Sequence, residues 1–206
     1  MISTPARRSL AGVALLGAAS VIAVPLLAGA APQPAPAPPA MADIDPADIP
    51  PLDQLTDEQA AKIDWKSLTD AQWKARMTPL QYKVMREEGT ERSGTGQDAP
   101  GKKKGVYDCA ACGLPLYDAE TKFQSGTGWP SFYAPIGGVK DSKNVGTKID
   151  KSWFSTRTEV HCNRCGGHLG HVFEDGPRPT GLRYCMNSVS LKFDPAEENK
   201  SEAKND

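Results

Sequence analysis

The chain carries almost no net charge: 24 lysines and arginines against 25 aspartates and glutamates leave −1 across 206 residues. That balance gives no reason to expect a nucleic-acid partner, which needs a basic surface. The basic run Lys102 to Lys104 is short and sits among Gly, Asp and Pro. It reads as a solvated loop. Histidine is scarce, with three residues, and cysteine stops at five. Four of those cysteines form two C-x2-C pairs and the fifth stands alone. No internal repeat is visible beyond the two pairs.

One long apolar run is present, and it lies at the N-terminus. Arg7 and Arg8 precede Leu10 to Ala31, and Ala28-Gly29-Ala30 offers a cleavage site. Residues 1–30 read as a secretory signal peptide of the twin-arginine type. The alternative is an uncleaved membrane anchor, since the run is long enough to span a bilayer. Either way the expected location is the bacterial envelope, with the protein exported to the periplasm. Residues 31–52 are rich in proline, read as an extended linker. Residues 53–195 have the size of one ordinary domain, and 196–206 form a polar tail.

Within the domain, Thr69-Asp70 opens a short helix through Trp73. Thr78-Pro79 is a cleaner start, with Thr as N-cap and Pro at the first helical position. That helix is expected to run past Tyr82 and Met85 and stop at Gly89. From Val106 onward, short runs rich in Val, Phe, Tyr, Trp and Thr alternate with turn residues. This predicts an antiparallel β domain, with strands around 121–125, 152–160, 170–174 and 183–193.

Cys109, Cys112, Cys162 and Cys165 have the spacing of a tetrahedral metal site. Each pair is followed by glycine, Gly113 and Gly166, which lets the chain turn back after the second ligand. One structural zinc ion is the favoured reading. Two disulfides or a redox pair remain as alternatives, because an oxidising compartment favours them. His161 abuts Cys162 but four thiolates already close the site.

Cys185 is left over. A buried inert cysteine is the bland reading. In an extended strand, however, Arg183, Cys185 and Asn187 share a face, and these are better neighbours for a thiolate than for a core. His168 and His171, in 167-GHLGHVFEDG-176, suit acid or hydrogen-bond donor work near neutral pH. Trp129 and Phe132 lie on the turn 125-SGTGWPSF-132, which taken alone is a structural turn with aromatic packing.

Taken together, GVYDCAACGLPLYDAETKF, SGTGWPSF and RTEVHCNRCGGHLGHVFEDGPRPTGLRYCMNSVSLKF resemble the methionine-(R)-sulfoxide reductase family. The resemblance extends upstream through 78-TPLQYKVMREEGTE-91. It implies a mainly β fold of two antiparallel sheets with short N-terminal helices and a zinc-ribbon-like site of four cysteines. It implies Cys185 as nucleophile, His168 and His171 as groups that bind and protonate a sulfoxide oxygen, and Trp129 against the substrate methyl group. Arg183 and Asn187 match polar residues of the site, and Phe132 is a candidate for the apolar side of the pocket.

The implied activity is reduction of oxidised methionine in proteins. The Cys185 thiolate attacks the sulfoxide sulfur and becomes a sulfenic acid as methionine leaves. Two features depart from the family pattern. Thr127 stands where many members carry a second, resolving cysteine, so an external thiol of the thioredoxin kind is the expected reductant. Ser93-Gly94 and a longer loop follow Glu91-Arg92, where members often continue Pro-Phe. The expected assembly is a monomer. The rivals are a general thiol oxidoreductase and a zinc-dependent binding module.

Overall fold

A four-residue signal, T-x-x-Q, is used three times at the start of the domain: Thr56 to Gln59, Thr69 to Gln72 and Thr78 to Gln81. In the computed structural model each is a reciprocal capping box. The threonine hydroxyl accepts from the glutamine backbone N–H, and the glutamine side chain accepts from the threonine N–H. The boxes open three short helices, α1 (Asp57–Lys62), α2 (Asp70–Arg76) and α3 (Pro79–Met85). Helices of two turns are marginal alone, so caps and packing hold them. Trp65 and Trp73 stack with ring centroids 6.1 Å apart and are both buried. Helix α3 ends earlier than expected, at Met85, and Gly89 N–H closes back on the Lys83 carbonyl.

The structure describes residues 49–96, 104–151 and 156–196. The expected signal peptide, most of the linker and nearly all of the tail lie outside these residues. The last residues assigned to the linker are seated on the domain. Ile49 is buried, and Arg76 donates to the carbonyls of Ile49 and Pro50.

Nine strands follow among the described residues: β1 (Gly105–Cys109), β2 (Pro115–Asp118), β3 (Lys122–Phe123), β4 (Ser131–Phe132), β5 (Val145–Lys151), β6 (Thr156–Cys162), β7 (His168–Phe173), β8 (Arg183–Met186) and β9 (Leu191–Pro195). A fourth helix, α4 (Gly138–Asp141), lies between β4 and β5. The strands form two sheets, ordered β2-β1-β9 and β3-β4-β8-β7-β6-β5, with every pairing antiparallel. The mainly β, two-sheet architecture with short N-terminal helices is thus present.

The core lies where the sheets face each other through aromatic rings. Tyr117 of β2 stacks on Phe132 of β4 at 4.4 Å, and Tyr107 of β1 meets the same ring edge-on at 5.0 Å. Tyr117 also leans on Tyr184 and donates its hydroxyl to the Met186 sulfur. The single strand expected over 183–193 is two strands in different sheets. A short 3-10 turn, Ser188–Ser190, separates β8 from β9 and lets the chain cross to β1.

Candidate active site

Strand pairing assembles the site. Ser131 of β4 pairs with Cys185 of β8, Cys185 with His171 of β7, His171 with Glu159 of β6, and Glu159 with Lys148 of β5. Residues directly opposite one another share a sheet face, so these five form one polar row across five strands. The next row, Phe132, Tyr184 and Val172, points to the core side. This parity corrects one expectation: Phe132 is fully buried among Tyr107 and Tyr117 and does not line the site.

His168 and His171 are three residues apart, which in a regular strand would place them on opposite faces. The ladder slips between Val160–Gly170 and His161–His168, leaving Leu169 as an extra residue. Such a bulge re-aims the side chains beyond it. Both rings therefore face the same way, 5.3 Å apart. Gly170 between them allows close approach of β8, since a Cβ there would meet the Cys185 carbonyl.

Cys185 is half-buried and opens into a cleft of about 110 Å³ that it shares with Trp129, His171, Arg157, Phe173 and Asn187. Arg183 stands beside it, its guanidinium over the Phe173 ring and held by Asp175 through two hydrogen bonds of 2.8 Å. The Asp175 pair, with a smaller contribution from Cys185, pushes the Arg183 pKa up, and the same pair pulls Asp175 down. Asn187 lines the cleft, but its side chain is tied to the backbone. Its Nδ2 donates to Leu169 and its Oδ1 accepts from Glu91 N–H.

Each histidine meets a carboxylate. His171 Nε2 is 3.0 Å from Asp150 Oδ2. Burial holds the His171 pKa below its ordinary value despite that carboxylate. The bond from His171 holds Asp150 down in turn. The pair is thus a carboxylate accepting from a neutral imidazole. Arg157 also donates to Asp150. His168 Nδ1 lies 3.0 Å from Glu159 Oε1, and His168 Nε2 is buried with no hydrogen-bond partner among the described residues. Glu159 is itself buried and paired with Lys148, which also holds Glu88.

Glu159, Asp150, Arg157, Lys148 and Glu91 were not singled out from the sequence. Glu91 is a buried strut. Its carboxylate accepts from Ser188 N–H, Ser188 Oγ and Val189 N–H, and its carbonyl accepts from Trp129 Nε1. The alternation of charge in 148-KID-150 and 157-RTE-159 was the available signal, had a strand been placed at 145–151.

The paired cysteines come together. Their four sulfurs lie within 4.8 Å of one another and all are buried. Cys109 and Cys165 sulfurs are 3.7 Å apart, Cys112 and Cys162 sulfurs 3.6 Å. Four sulfurs at about 2.3 Å from a shared ion would be spaced close to this, whereas a disulfide needs about 2.05 Å. The turns match: Gly113 N–H donates to Cys109 O and Gly166 N–H to Cys162 O, both at 2.8 Å, and both glycines have φ of +71°. Gly167 N–H adds a bond to Cys165 Sγ. The cysteines are positioned to hold a metal ion, joining the end of β1 to the end of β6 across the two sheets. None of the four lines the cleft at Cys185.

The SelR domain profile matches residues 77–195. A chloroplastic peptide methionine sulfoxide reductase B1 of Arabidopsis thaliana is 51% identical over 144 residues, covering 69% of this chain and 69% of that protein. The peptide methionine sulfoxide reductase MsrB of Methanosarcina barkeri is 57% identical over 132 residues, covering 64% of this chain and 90% of that protein. The MsrB of Leptospira interrogans is 54% identical over 126 residues, covering 61% and 92%. With the fold and the sulfur chemistry already in place, the match over residues 77–195 places the chain in the SelR family, that of the MsrB-type methionine sulfoxide reductases.

Proposed function

We propose that the protein reduces methionine-(R)-sulfoxide to methionine, with Cys185 as nucleophile. The observation that carries the reading is the cleft in which Cys185, His171 and Trp129 meet. The Cys185 thiolate, beside the Arg183 cation, attacks the sulfoxide sulfur. The sulfur–oxygen bond breaks, oxygen passes to Cys185 and takes up a proton from solvent to give a sulfenic acid, and methionine leaves. The substrate sulfur gains two electrons and the cysteine sulfur loses two.

The oxygen needs a donor as charge develops on it. The His171 Nε2–H now held by Asp150 is one that a sulfoxide oxygen can take over. His168 stands behind it as the second histidine of the motif, its ring 5.3 Å from that of His171 and its Nδ1 3.0 Å from the Glu159 carboxylate. Trp129, anchored by its Nε1 to Glu91, gives the methyl group an apolar wall. Oxygen on the histidine side and methyl on the Trp129 side select one sulfur epimer.

The ion is zinc on this reading. Cys109, Cys112, Cys162 and Cys165 would hold it in a closed structural site, because four thiolates complete a tetrahedron and leave no position for substrate. Proteins bearing oxidised methionine are the substrates, and the chain works as a monomer recycled by an external, thioredoxin-like thiol. The arginine pair, apolar run and Ala-Gly-Ala site in residues 1–30 support export to the periplasm with cleavage of the leader.

The test uses zinc-loaded protein, dithiothreitol and separated R and S epimers of a methionine-sulfoxide peptide. The expected outcome is turnover of the R epimer alone, abolished by Cys185→Ser. Absence of turnover with either epimer, in folded protein, would overturn the reading.

A further inference from the structure

Thr127 touches the reacting sulfur: its Oγ1 is 3.9 Å from Cys185 Sγ. Behind it runs a file of hydroxyls. Thr127 Oγ1 and Ser125 Oγ are 2.8 Å apart, and Ser131 Oγ donates to Ser125 Oγ at 2.7 Å. Ser125 Oγ accepts from Ser131 Oγ and from the Thr127 backbone N–H at 3.4 Å, and Ser131 Oγ also lies 3.2 Å from the Trp129 carbonyl. A file that runs from Ser131 through Ser125 to Thr127 uses both acceptor sites of Ser125 and leaves the Thr127 proton free to face Cys185.

The far end of the file and the threonine itself are both held. Ser131 is 1% exposed and sits opposite Cys185 in the sheet. Ser93 Oγ donates to the Thr127 carbonyl at 2.7 Å, and Gly94 N–H donates to the Gly128 carbonyl at 2.9 Å. The Ser93-Gly94 segment thus clasps the turn that carries Thr127.

A contact of 3.9 Å is long for a donor to sulfur. An oxygen bonded to Cys185 Sγ on this side closes the gap, because it lies nearer Thr127 Oγ1 than the sulfur does, within ordinary O–H···O reach. We propose that Thr127 is a catalytic residue of the recycling step, donating a hydrogen bond to the sulfenic oxygen of Cys185 while an external thiol reduces it. Ser125 and Ser131 are positioning residues that fix the Thr127 proton. The inference rests on the reading of Cys185 as the sulfur that takes oxygen.

The other four cysteines are buried in the metal cluster, so the reductant comes from outside. Its thiolate attacks Cys185 Sγ, and a sulfur–sulfur bond forms. The sulfur–oxygen bond breaks with its electron pair on oxygen, and the proton released by the thiol completes water. Cys185 is reduced and the external thiol oxidised; a second external thiol then frees the Cys185 thiolate. A donor on the departing oxygen assists this step. The attack on substrate, made before that oxygen is on Cys185, gains little from it.

The two half-reactions are measured separately on the full, metal-loaded chain. A peptide methionine-(R)-sulfoxide is supplied without reductant, and methionine formed per chain is counted. Dithiothreitol is then added, and the remaining sulfenic acid is trapped with dimedone and followed by mass. In Thr127→Val the first phase is expected within about twofold of wild type and the second about three- to tenfold slower, the worth of one hydrogen bond. Thr127→Ser restores the second phase. Ser125→Ala, which keeps Thr127 but removes the donor that sets its proton, slows the second phase alone. Equal decay of the sulfenic acid in wild type, Thr127→Val and Ser125→Ala overturns the inference. A wild-type chain that forms no methionine in the first phase instead overturns the reading of Cys185.

Discussion

His171 and Asp150 show how single protons are assigned in this site. Burial keeps the imidazole below its ordinary pKa, and the bond from it keeps the carboxyl below its own. The unfolded chain therefore takes up a proton at this histidine at a higher pH than the folded chain does. In that window the unfolded state holds more protons, so stability falls as pH drops through the ordinary histidine range toward the folded pKa. His161 is also held down by burial, so the informative comparison is between wild type and His171→Asn. Thermal melts from pH 8 to about 5 should show a shallower loss of Tm in the variant. Parallel curves would place the proton uptake elsewhere.

The central elements are β7 and β8, and Gly170 sets their approach. A Cβ at 170 would come to 2.1 Å from the Cys185 carbonyl oxygen, so the strands must part or the backbone shift. Gly170→Ala is expected to lose about 1–3 kcal/mol in urea unfolding. It should lose activity out of proportion, because His171 and Cys185 face each other across this pair. Strands β6, β7 and β8 were legible in the sequence from their Val, Phe and Tyr runs. Strands β1, β2, β4 and β5 were not: β4 is two residues inside a Gly- and Pro-rich turn, and β5 presents a largely exposed, charged face. The break after Met186 was hidden because Ser188 and Ser190 read as strand residues, while Glu91, nearly a hundred positions away, holds the turn. The same distance in sequence explains the site. Cys185, His168, His171 and Trp129 sit in short motifs, whereas Glu159, Asp150 and Glu91 arrive by strand pairing and buried hydrogen bonds that local spacing does not encode.

For the whole molecule, the four-cysteine cluster ties one sheet to the other. Structural zinc in small domains contributes about 10–16 kcal/mol of apparent binding energy, comparable with total domain stability. Stripping the ion with a chelator is expected to abolish a single cooperative unfolding transition, followed by near-UV circular dichroism, with one zinc per chain released. Cys185→Ser should keep both the ion and the transition; a metal-free chain that melts like the loaded one would remove the clamp from the account. The four cluster cysteines are at most 2% exposed, while Cys185 is only partly buried. To a reagent that seeks sulfur, the native chain is therefore a one-thiol protein. A maleimide dye would count working molecules at one label each, and labels beyond the first would count those whose clamp has opened. Oxidants face the same asymmetry among the cysteines: they meet Cys185 first, the sulfur that the proposed cycle oxidises and restores.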